Sequence, residues 1–149
     1  MARNEDRAPS TPELNKLKAR LIGHAYKRVK RARSSGFHIE AIAILESLMT
    51  DRLESLIVRA TNEQIKTGNL VPALKKVSEL DLISEDFEIE IRLWSRQRAK
   101  IVHEMVKVTV VTDSEWSERM KFAKMTSAEG FRLLTVIDSI VKKYKPKRI

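Results

Sequence analysis

A chain of 149 residues has the length of one domain and can bury a real core without covalent staples. It has no cysteine, which excludes disulfides and thiolate zinc sites. The net charge of +9 is uneven: residues 1–36 carry +7, 37–67 carry −2, 68–112 are neutral and 113–149 carry +4. A basic first segment and the basic tail VKKYKPKRI favour a polyanion, nucleic acid above all, as partner.

No apolar run reaches the roughly 18 residues a membrane helix needs. The opening MARNEDRAPSTPE has no apolar stretch of the kind a secretory leader carries. The expectation is a soluble, cytoplasmic protein with no membrane partner. Residues 1–9 read as a polar, disordered tail, 10–144 as a helical bundle and 145–149 as a basic tail.

The first helix is predicted from Ser10, with Ser10 and Glu13 as a capping box and Pro12 in the first turn. It should run to about Arg33 and stop at Gly36. Its segment KLKARLIGHAYKRVKRAR carries Lys27, Arg28, Lys30 and Arg31, cations suited to phosphate contact more than base reading. On its own this segment also suits a small helical DNA-binding protein. A second helix is predicted over residues 37–67, because Ala41, Leu45, Leu48, Met49, Leu53, Leu56, Ile57 and Ala60 recur at spacings of three and four.

Gly68 and Asn69 end that run. Pro72 opens a short helix that breaks at Asp81, and Ser84 caps the next one. On this fourth helix Phe87, Ile91, Trp94, Ile101, Val102 and Met105 mark the buried face. VTVVT, residues 108–112, reads as a short extended connector. Thr112 and Glu115 form a capping box for a last helix reaching about Lys143, which TSAEG, residues 126–130, can bend. The fold class expected is all-α: a four- to five-helix bundle with two long central helices.

The stretch that asks for chemistry is SRQRAKIVHEM, residues 95–105. At about 100° per residue, Arg96 and His103 share a face, together with Arg92, Ala99, Lys100 and Lys107. Arg98 lies about 140° from His103, near the apolar positions, where an arginine calls for an anionic partner or a second subunit. A neutral imidazole can take a proton from a ribose 2′-hydroxyl while two cations hold the scissile phosphate, with no metal required. With one histidine in this stretch, a two-fold dimer could bring two copies to one cleft. Arg92, Lys100 and Lys107 are the flanking nucleic-acid-binding candidates. His24, His38 and His103 are isolated, with no metal-ligand spacing, and no glycine loop or nucleophile elbow is present, so no metal or cofactor is expected. Trp94 reads as core or dimer interface; Trp116 and the methionines carry no functional assignment.

RLWSRQRAKIVHEM resembles the motif helix of HEPN domains (higher eukaryotes and prokaryotes nucleotide-binding), an arginine followed after four to six residues by a histidine. Arg98 to His103 satisfies the four-residue form and Arg96 to His103 the six-residue form. The two segments before it, GFHIEAIAILESLMTDRLESLIV and LVPALKKVSELDLISEDFEIEIRLWSRQRAKIVHE, resemble the long second helix and the short-helix-plus-motif unit of such domains, relatives of the mannitol-operon repressor among them. The resemblance spans about residues 20–140.

It implies a homodimer whose motif helices face each other across an RNA-binding cleft. In active members that cleft is a metal-independent endoribonuclease of toxin or defence type, leaving a 2′,3′-cyclic phosphate. His103 would then be base or acid, and Arg98 or Arg96 the phosphate holder. An antitoxin or regulatory protein would be a further partner. The alternative implied is a non-catalytic regulatory or interaction module, in which Arg98 and His103 bond across the dimer interface. The polar residue usual after the arginine is Ala99 in the four-residue register and Gln97 in the six-residue register. Met105 stands where toxins controlled by a nucleotidyltransferase carry tyrosine, so that control mode is not expected.

Overall fold

The computed structural model describes residues 11–108 and 115–145. It contains five helices: α1 (Pro12–Ser34), α2 (His38–Thr61), α3 (Leu70–Glu79), α4 (Glu85–His103) and α5 (Trp116–Lys143). No strand occurs among the described residues. The expected all-α bundle is what forms, and the two longest helices are α2 and α5.

α2 is the hub and packs against all four other helices. Its sequence explains why. Ala41, Ile42, Leu45, Leu48, Met49, Leu53, Leu56 and Ile57 are all buried. At 100° per residue they cover an arc of roughly 180°, far wider than a one-sided surface helix needs. α4 is different: Phe87, Ile91, Trp94 and Ile101 form a narrow buried stripe that faces α5 and α3. Val102, expected on that stripe, is 39% exposed, because it falls at the edge of the arc in the last turn. Met105 lies beyond the helix end but still packs partly against the core.

Three helix ends differ from the sequence expectation. Thr11 caps α1, accepting from the Leu14 amide at 3.2 Å; Ser10 lies outside the described residues. α2 stops six residues before 67, where Asn62 takes a left-handed conformation (φ 57°) and donates its amide to the Val58 carbonyl at 2.8 Å. Asparagine is among the few residues that adopt this conformation cheaply, and it closes a helix much as glycine does. Ile65, within the expected helical span, packs on the core from a non-helical segment. Asn69, not Pro72, precedes α3. Ser84 caps α4 as expected, accepting from the Phe87 amide at 3.2 Å. The tail assignments for 1–9 and 146–149, the connector from 109 on and the Thr112 cap fall outside the described residues.

The α4–α5 contact is set by one small-residue seat. Trp94 is 1% exposed and donates its indole N–H to the Thr126 carbonyl at 2.8 Å. A Cβ on Gly130 would sit 2.7 Å from the Trp94 ring. TSAEG, read from sequence as a bend, therefore lies within one unbroken helix and admits the indole. Across α5, His38 Nδ1 lies 3.2 Å from Ser127 Oγ, and that hydroxyl donates to the Lys124 carbonyl at 3.0 Å. With the serine proton directed there, the imidazole is the donor, through Nδ1–H. The pair is a packing contact, not an activated nucleophile. Burial first, then the charges of Lys124 and Arg33, hold His38 below its ordinary pKa.

Candidate nucleic-acid interface

Helix phase divides the basic residues of α4 between two faces. Arg98 is in line with Phe87, Ile91 and Trp94, on the buried stripe. Its guanidinium forms an ion pair, through Nε, with Glu46 of α2. Both side chains are only about a quarter exposed (28% and 22%), so water screens this pair less than a surface one. The anionic partner that an inward arginine demands thus comes from within the chain. Glu46 carried no obvious sequence signal, since nothing in the spacing of either helix says which α2 residue lies opposite Arg98.

Arg96, Lys100 and His103 lie on the opposite, outward face, and all three are exposed. Among the described residues none of their side chains has a hydrogen-bond or ion-pair partner. Gln97, also exposed, flanks this stripe. Arg92 is less available: it pairs with Glu88 at 2.9 Å. Glu88 in turn accepts from the Ser78 hydroxyl, and that bond together with Arg92 holds its carboxyl below the usual range. Lys107 is exposed beyond the helix.

His103 is the last residue of α4, and the turn after it is pinned from α5. Arg119 Nη1 donates to the carbonyls of Glu104 (3.0 Å) and Met105 (2.9 Å). Both carbonyls lie in the turn just past the helix end, so the guanidinium also complements the negative end of the helix. Sequence reading missed Arg119; its role depends on where α5 crosses the end of α4.

α1 shows the same division. Arg28 pairs with Glu40 at 2.6 Å and Lys18 with Asp51 at 3.0 Å, while the Arg33 guanidinium lies 5.1 Å from the centre of the Phe131 ring. These three fasten the helix to its neighbours. Lys27, Lys30 and Arg31 are exposed and without a partner among the described residues, as are Lys16 and Arg20.

A polar cleft of about 580 Å³ lies between α2, the 62–69 segment and Arg98, lined among others by Glu46, Thr50, Glu54, Lys66 and Asn69. Burial raises the pKa of Glu54, against the hydrogen bonds it accepts from Thr67. No group of three or more side chains able to hold a metal occurs among the described residues, and no helix there is long and apolar enough to cross a membrane. His24 is exposed.

Comparison with protein-family models, with curated proteins and with solved structures gives no match to this chain.

Proposed function

We propose that this chain is a HEPN-like, cytoplasmic RNA-binding homodimer whose outward α4 face binds RNA and cleaves it without a metal. The observation that carries this reading is the exposed Arg96–Lys100–His103 stripe, whose side chains have no partner among the described residues while Arg98 is tied to Glu46. It favours the six-residue register, in which Arg96 is the phosphate holder and Gln97 the polar neighbour.

The chemistry asked of these side chains is modest. A neutral His103 accepts the proton of a ribose 2′-hydroxyl, and that oxygen attacks the adjacent phosphorus. The bond from phosphorus to the 5′-oxygen breaks, and the leaving oxygen takes a proton from the partner's His103. The product is a 2′,3′-cyclic phosphate. Arg96 and Lys100 stabilise the charge that builds on the phosphoryl oxygens. An antitoxin or regulatory protein would cover the same face.

The test is cleavage of total RNA by wild type, Arg96→Ala and His103→Ala in the presence of a chelator. Cleavage by wild type that both variants lose supports the assignment. Equal cleavage by wild type and His103→Ala removes the imidazole from the mechanism.

A second reading is a non-catalytic interaction module on the same fold. Ile89 and Leu93, 49% and 50% exposed on the outward face of α4, favour it, because apolar side chains beside cations suit a protein partner. Under it the wild type cleaves no RNA, and Arg96→Ala/His103→Ala changes the sedimentation of the protein rather than any activity.

A further inference from the structure

The eight cations of α1 have two separate jobs. Lys18, Arg28 and Arg33 face neighbouring helices and are engaged by Asp51, Glu40 and the Phe131 ring. Lys16, Arg20, Lys27 and Arg31 are exposed and unpaired among the described residues. At 100° per residue these four fall within about 60° of arc, so they form one line along the outer side of the helix. Lys30 stands beside that line, about 40° from Lys16. Lys16 and Arg31 are separated by fifteen residues, or about 22 Å of helix rise.

We propose that this line of cations is a second nucleic-acid contact, separate from the α4 stripe, that grips the phosphate backbone of duplex RNA without reading sequence. Charge complementarity names the occupant. At the DNA value of one charge per 1.7 Å, a duplex presents roughly 13 phosphates over 22 Å of its axis, so anions outnumber the cations on the line. The line contains no phenylalanine, tyrosine or tryptophan on which an unpaired base could stack, the exposed His24 ring lying about 20° beyond Arg31, and no asparagine or glutamine to read a base edge. Both features fit a double-stranded backbone better than a single strand. α1 is fastened to α2 through Lys18 and Arg28, so the contact is preformed. The choice of RNA over DNA rests on the function proposed above; the cation line itself does not.

The experiment measures binding of the full chain to an RNA duplex across a salt series, by fluorescence anisotropy. Wild type is compared with Lys16→Gln/Arg20→Gln/Lys27→Gln/Arg31→Gln and with Lys18→Gln/Arg28→Gln. The fourfold variant is expected to reduce the slope of log affinity against log salt by about 3 to 4, at roughly 0.9 per lost phosphate contact, with its thermal midpoint unchanged. The twofold variant should lower the thermal midpoint and leave the slope alone. If the fourfold variant does not fold, the four single substitutions replace it, each expected to remove about 0.9 from the slope. An unchanged slope in the fourfold variant overturns the proposal, as does equal or tighter binding of wild type to single-stranded RNA. Binding to anionic phospholipid vesicles but not to the duplex overturns it in favour of a membrane surface, and tighter binding to a DNA duplex of the same sequence overturns the choice of RNA. If wild type cleaves no RNA while the slope change is seen, the α4 reading fails and the α1 contact stands. His103-dependent cleavage with an indifferent slope has the reverse meaning.

Discussion

The two halves of α4 are built differently. The first half, from Ser84 to Trp94, is fixed at every turn: a serine cap, acidic residues Glu85, Asp86 and Glu88 at the positive helix end, the Ser78–Glu88–Arg92 chain, and an indole seated on Gly130. The second half is held at fewer points: Ile101 in the core, Arg98 on Glu46, and the Arg119 clamp just past the end. It is also the half that shows Arg96, Lys100 and His103 to solvent. A helix anchored by apolar packing at one end can present an uncompensated charged face at the other, because the anchor supplies the burial that repulsive cations cannot.

That contrast can be broken most severely at the anchor. Trp94→Ala should cost about 3–5 kcal/mol by emptying the seat on α5, read as a lower denaturant midpoint. Gly130→Ala is a sharper probe. In an ordinary helix the change gains up to about 1 kcal/mol, but here the new methyl would meet the indole, so a loss of about 1–3 kcal/mol is expected by chemical unfolding. A stabilised Gly130→Ala protein would show that the indole is not seated where described.

In the second half, Arg98→Ala leaves the Glu46 carboxylate largely buried and unpaired. The expected cost is about 2 kcal/mol, below the range for a fully buried pair because both partners keep some exposure. Arg98→Leu/Glu46→Leu should recover most of it; if it does not, the arginine has a task besides pairing. Arg96→Ala and His103→Ala should stay within about 0.5 kcal/mol of wild type. A large stability loss in either would mean the outward face is packed against something.

The smallest effect concerns pH. His38 has a lowered pKa in the fold, so the unfolded chain binds its proton first. Its contribution is complete above the ordinary value near 6.5 and is lost as pH falls from there through the folded-state value. Thermal midpoints of wild type and His38→Gln should converge over that window. Parallel curves would show that another group controls the acid limb.

Most of the helices were legible in the sequence because their apolar residues repeat at helical spacing, and α1 and α4 also start at a capping side chain. The exceptions have local causes. Residues 62–67 look helical by composition, but Asn62 in the left-handed conformation ends the helix first. TSAEG looks like a weak point, yet its small residues make room for a tryptophan 32 positions earlier. For the site, helix phase alone placed Arg98 inward and Arg96 with His103. It could not supply Glu46 or Arg119, which lie on other helices.

The order of apolar and polar residues, then, determined that this chain forms amphipathic helices and which way the arginines of α4 point around its axis. Tertiary packing decided which charges acquire partners: Arg98, Arg28 and Lys18 meet carboxylates on α2, while Arg96, Lys27 and Arg31 meet none among the described residues. The reason is geometric. The phase of a residue is fixed by its neighbours along the helix, but an ion pair needs two helices in register, and that register is set by how the core between them fits.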